Sequence, residues 1–217
     1  MDLPNWYDAW RKKIFMQVFT IYTRYLVGSA FVIAAIGMGK LDGSSNLIYS
    51  MDKPIQDLQP IQQFFRVMAD SGLYWKFIGW SQIVCGALLM TQRFASLGAL
   101  IYFGLILNIF IITISYNFAG TPVITGLMLM AATYLLLWDI RLFLPLVTQK
   151  ETARYPKLAL IVHPFWSWLG ASIIFLILLC FLLGWPLQFQ LGLPFLAGLA
   201  GFIVFFVKIR KKGTNGP

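Results

Sequence analysis

Five long apolar runs and one short one, parted by brief polar connections, make up most of the chain. A membrane-spanning helix needs about 20 predominantly apolar residues. The runs cover approximately 19–39, 74–91, 94–116, 122–141, 165–185 and 190–208. Their ends carry helix punctuation: Pro122 follows the Gly120-Thr121 turn, Pro164 opens the fifth run, and Gly184-Trp185-Pro186 closes it. Run 74–91 is the weakest, because Lys76, Ser81 and Gln82 interrupt it. The pattern predicts an all-α fold, a polytopic bundle of six transmembrane helices.

Two further segments are amphipathic. Residues 5–17 place Trp6, Trp10 and Ile14 four apart, beside Arg11, Lys12 and Lys13. This is the pattern of a helix lying in the inner membrane surface. The connection 42–73 opens on the turn Asp42-Gly43-Ser44-Ser45-Asn46 and then sets Ile61, Phe64, Phe65 and Met68 on one helical face. It predicts a short outer helix over the bundle mouth, stopped near Gly72. The predicted organisation is a cytoplasmic interfacial helix over 1–18 and a four-helix core over 19–142 that includes the outer loop. A cytoplasmic linker over 143–164, a hairpin over 165–208 and a basic tail over 209–217 follow.

Composition narrows the setting. Hydrophobic residues make up 59% of the 217, aromatics 17%, and charged residues only 12%. A soluble fold could not cover that apolar excess with polar surface. The net charge of +9 would suit nucleic acid, but the basic residues flank apolar runs instead of forming a stripe with aromatics. Nucleic acid is therefore not expected; the lipid bilayer is the partner. With the N-terminus inside, 13 of the 17 Lys and Arg fall on the inner side and 4 on the outer. That bias predicts both termini in the cytoplasm. The first run follows basic residues without a small-residue cleavage site, which reads as a retained helix in a bacterial inner membrane.

Candidate chemistry is sparse. Cys85 and Cys180 stand alone inside apolar runs, and His163 has no second histidine to form a metal pair. No Ser/His/Asp set, HExxH, P-loop or dinucleotide fingerprint is present. No catalytic residue or metal ligand is expected. The informative residues are polar ones inside the runs, because such groups are costly in lipid. Arg24 and Asp139 fall at similar depth near the inner side, so an ion pair between them is one reading. The other has Arg24 reaching headgroups while Asp139 meets Arg141 or water. Gln82 and Asn108 lie deeper. Gly79 and Gly86 share a face with Gln82, and Gly28, Ala35 and Gly39 follow Arg24 at near-helical intervals. Small residues permit close helix approach and amides can bond across it. Alternatively Gln82 and Asn108, with Tyr116, Asn117 and Tyr134, line a polar pocket for the head of a lipophilic ligand such as a quinone. Lys40 and Asp42 either clamp the outer end of the first helix or recognise an anionic group.

Two stretches also carry a family resemblance. Arg24-Tyr25-Leu26-Val27-Gly28-Ser29-Ala30-Phe31 is followed by Gly37-Met38-Gly39-Lys40-Leu41. Ile78-Gly79-Trp80-Ser81-Gln82 leads to Gly86 and then Arg93-Phe94-Ala95-Ser96, and a later run ends in Leu137-Trp138-Asp139. Over roughly 20–142 the chain resembles DoxX-like membrane proteins. The resemblance implies a four-helix membrane core and association with quinone-linked redox complexes. Gln82 departs from the glutamate of many relatives, which removes a titratable group. The reading that follows is a non-catalytic, quinone-associated subunit or redox accessory protein beside a partner membrane or redox protein. The alternatives are a carrier or binding protein for a small lipophilic molecule and a structural anchor for a partner complex.

Overall fold

The computed structural model describes residues 5–41, 54–148 and 158–209. The described chain is a helical bundle: α1 (Asn5–Lys12), α2 (Ile14–Gly37), α3 (Pro60–Asp70), α4 (Leu73–Met90), α5 (Ala95–Ser115), α6 (Thr121–Trp138), α7 (Ile140–Thr148), α8 (Ala159–Val162), α9 (Pro164–Leu182) and α10 (Leu187–Val204). A π-helical turn, Phe205–Ile209, continues α10.

The first spanning helix begins at Ile14, five residues before the expected start. Extended backbone at Lys13 (φ −64°, ψ 127°) breaks α1 from α2, and the apolar run Ile14–Val18 then joins the long helix. The stretch expected as a linker opens with α7, because Asp139 (φ −106°, ψ 18°) leaves the α-region for one residue only. The outer segment forms α3, with a capping box between Gln59 and Gln62. Gly72 separates α3 from α4 with φ +61°, a conformation that only glycine adopts at little cost.

Packing makes α2 the central helix. Of its most apolar stretch 61% is buried, against 22–28% in the other four long apolar helices. Its partner α4 runs antiparallel along it. A Cβ on Gly79 would meet Lys40, one on Gly86 would meet Val32 and the Gly28 carbonyl, and one on Gly28 would meet Met90. Absent side chains thus bring the two backbones together, which is how helices associate where lipid removes the hydrophobic drive. A second core joins Val27 and Phe31 to Cys85, Leu89, Tyr102, Ile106 and Leu135 across α4, α5 and α6.

The hairpin α9–α10 is no separable appendage. Ile21, Tyr25, Met90, Trp166, Ile173 and Phe205 belong to one buried cluster. The Tyr25 hydroxyl donates to the Trp166 carbonyl, and Ser167 Oγ donates to the Thr91 carbonyl at 2.5 Å. The tryptophans divide by burial. Trp6 and Trp168 are exposed, whereas Trp75, Trp138 and Trp166 are sealed inside the bundle near helix ends. Large side chains at helix ends here plug the core.

Among the described residues, five helices are long and apolar enough to cross a membrane: α2, α5, α6, α9 and α10 with its π turn. Their outward faces carry exposed Leu107, Ile111, Ile124, Leu127, Phe175 and Phe195. Water would not tolerate that much contiguous apolar surface on a monomer. The expected second span is an 18-residue helix, α4, outside those five.

Candidate functional site

The end of the bundle that carries α1 gathers most of its buried charge. Arg24 leaves α2 with 3% of its surface exposed, and Asp139 caps α6 with 7% exposed. Arg24 Nη2 donates to Asp139 Oδ2 at 2.9 Å, and Ser96 Oγ donates to the same oxygen at 2.7 Å. Arg24 Nη1 donates to Gln92 Oε1 at 2.9 Å. Arg11 Nη2 approaches Asp139 Oδ1 at 3.6 Å, its guanidinium 4.9 Å over the Trp138 ring. One carboxylate therefore serves two guanidinium groups and a hydroxyl. Arg141, the alternative partner for Asp139, pairs with Asp8 at 2.7 Å.

Helix α1 closes this end. The Tyr7 hydroxyl donates to the carbonyls of Leu137 (3.0 Å) and Trp138 (2.7 Å), groups left free where α6 stops. Tyr7 and Arg11, four residues apart, form the buried face of a helix that covers the bundle end. Burial pushes the Tyr7 hydroxyl up from its ordinary pKa. Burial also lowers the Arg11 guanidinium, opposed by nearby Tyr7 and Asp139.

At the α3 end, Lys40 Nζ donates to Gln82 Oε1 at 2.9 Å and lies 5.3 Å over the Trp75 ring. Burial pushes the Lys40 ammonium down to about 8. Gln82 is 2% exposed, so its amide is bound to a lysine deep in the interface between α2 and α4. Gln82→Leu should destabilise the protein by about 1–3 kcal/mol, because a buried donor loses its acceptor. Adding Lys40→Met should recover most of that loss. Thermal unfolding of the two variants in one detergent measures it; a double variant no better than the single would refute the pairing.

The five residues read as a polar pocket are not brought together. Asn108 is exposed on α5, whose buried face holds Ala99, Tyr102, Ile106 and Thr113. Tyr116 stacks on Phe64 of α3 with centroids 5.4 Å apart. Asn117 takes φ +46° in the turn before α6, a conformation asparagine tolerates. The Tyr134 and Thr20 hydroxyls share a hydrogen bond of 2.7 Å at the α1 end. Asp42, expected beside Lys40, lies outside the described residues.

Two cavities stand out, and none of those five residues lines either. One is an apolar cleft of about 820 Å³ among α2, α9 and α10. Leu26, Ile33, Leu191 and Phe195 line it, with Tyr22, Thr23, Tyr25, Ser29 and Gln188 as its polar residues. The Tyr22 hydroxyl donates to the Gly198 carbonyl at 2.8 Å, tying α2 to α10 beside the cleft. The second, about 600 Å³, lies at the Arg24–Asp139 cluster. Sequence reasoning missed Gln92, Ser96 and Arg11 there. Polar residues in the short turn between two apolar runs, and the four-residue spacing of Tyr7 and Arg11, were the available signals. Among the described residues no three His, Cys, Asp or Glu side chains gather as a metal site would require.

The fold defines the class: an α-helical chain with the make-up of a multi-pass membrane protein. Comparison with models of known protein families, with curated proteins and with solved structures finds no match.

Proposed function

We propose that this is an integral protein of a bacterial inner membrane that crosses it six times and holds a small lipophilic molecule without transforming it. The carrying observation is the apolar cleft among α2, α9 and α10. Its roughly 820 Å³ falls in the size range of small-molecule sites, and its few polar groups suit a molecule with a long apolar body. A quinone is one such molecule, and with it the quinone-associated, redox-accessory reading belongs to this proposal.

Several observations support the membrane arrangement. Helix α4 packs along α2 from Gly28 to Lys40, which supports a sixth crossing despite Lys76 and Gln82. Six crossings then put both termini on one side, and the distribution of Lys and Arg favours the cytoplasm. The DoxX-like assignment of α2, α4, α5 and α6 belongs to the same proposal. In its favour, the resembling residues meet in pairs: Arg24 with Asp139, Gly28 with Gly86, Lys40 with Gln82.

The test is to extract the protein from its native membrane with lipids retained and identify the bound molecules by mass spectrometry. Gly192 lines the cleft, and a Cβ there would meet nothing within 4 Å. Gly192→Leu should therefore intrude into the cleft, leave the fold intact and weaken retention of the bound molecule. Material carrying only bulk lipid, equally in both forms, would defeat the proposal.

A further inference from the structure

The second cavity has the chemistry of an anion site. Among the described residues, Arg11, Arg24 and Arg93 line it against a single carboxylate, Asp139, an excess of two positive charges. Both Asp139 oxygens are engaged, Oδ2 by Arg24 and Ser96 and Oδ1 by Arg11. Arg93 makes no ion pair among the described residues; its guanidinium lies 5.5 Å over the Phe94 ring.

Two donors in the wall have no acceptor. Arg24 Nε and Gln92 Nε2 are both buried and without a hydrogen-bond partner, although Arg24 is 97% buried overall. An orphaned buried donor is costly, so such groups mark a place where an acceptor belongs. Gln92 also holds φ +59°, an uncommon conformation for a residue other than glycine, while presenting its side chain to Arg24. Strained backbone of this kind gathers at ligand sites. Leu142, Leu158, Ile161, Val162 and Pro164 add an apolar stretch of wall.

We propose that this cavity binds an anionic phosphate group, carried either by a lipid headgroup or by a soluble phosphate. Guanidinium forks match phosphate oxygens in geometry and charge, and the apolar wall beside them suits the glycerol and acyl portion of a lipid. The site is independent of the apolar cleft, because no residue lines both.

The full chain is placed in nanodiscs of phosphatidylcholine alone or with an equal share of phosphatidylglycerol, and retained lipid is read by native mass spectrometry. The wild type is expected to keep phosphatidylglycerol in preference to phosphatidylcholine. Arg93→Gln, at an exposed position, should weaken that retention about tenfold with an unchanged melting temperature, as loss of a charge-assisted contact would. Lys12→Gln, exposed on α1, should leave it unchanged. Inorganic phosphate added to the phosphatidylcholine discs separates the sources. A raised melting temperature with phosphate and no lipid adduct assigns the site to soluble phosphate, whereas the adduct without phosphate protection assigns it to a headgroup. Either result upholds the site. Neither adduct nor protection, or equal losses in the two variants, would overturn it.

Discussion

Asp139→Ala should cost about 3–5 kcal/mol, the range for breaking a buried ion pair by removing one partner. The loss is large because the carboxylate is shared. Arg24 would stay buried with Nη2 as well as Nε lacking an acceptor, Ser96 would lose its acceptor, and Arg11 would lose the anion opposite it. Thermal unfolding in detergent and the yield of folded protein report the effect. Exchanging the charges, Arg24→Asp with Asp139→Arg, should restore part of the stability. The recovery is incomplete because the new arginine would face Arg11, and the new aspartate would face the acceptor oxygen of Gln92. A single variant that melts like the wild type, or an exchange no better than either single change, would show that the pair does not hold α2 to α6.

Gly170→Ala is the second large effect, and its sign runs against helix propensity. In a free helix the change would stabilise by about 1 kcal/mol. In α9 the added Cβ would overlap the Met90 carbonyl oxygen and stand 3.1 Å from the Tyr25 ring. Backbone cannot yield as a flexible side chain can, so α9 must move away from α4. Overpacking of this kind costs about 1–3 kcal/mol and sometimes more. Gly104→Ala is the internal control: a Cβ there meets nothing within 4 Å, and the change should be neutral or stabilising. Melting temperatures that fell equally in the two variants would mean that α9 does not pack on α4 at this point.

Much of the fold was legible because helix ends are local. Prolines at 122 and 164 and glycines at 72, 120 and 184 stand at breaks in the structure. Gly79 and Gly86 were readable as a close-packing face, and they are where α2 lies against α4. The spacing of Ile61, Phe64 and Phe65 foretold α3, whose rings cover Tyr116 and Phe118 at the mouth of the bundle. Segment 5–17 was harder. Its amphipathic pattern marks a helix with one covered face, and only the structure shows that face bonded through Tyr7 to the end of α6.

The polar pocket shows where one-dimensional reading stopped. Gln82 and Asn108 look alike as amides inside apolar runs. Gln82 falls on the buried face of α4, whereas Asn108 stands two residues past buried Ile106, about 200° around α5 at 3.6 residues per turn. Depth along the chain could be read without a structure; the partner across the bundle could not. The shared carboxylate at Asp139 is a mixed case. Similar depth offered Arg24 as one partner for Asp139, and the structure contains that pair, but no local pattern coupled Ser96 or Arg11 to it.

By itself, the amino-acid order determined the solvent, the long helices and many of the breaks between them, since apolar content, proline and glycine act within a few residues. Which helices became neighbours, which polar groups met, and where two cavities opened were decided only when side chains from distant segments packed together. Such contacts depend on shape and position in three dimensions, which the composition of each run does not carry.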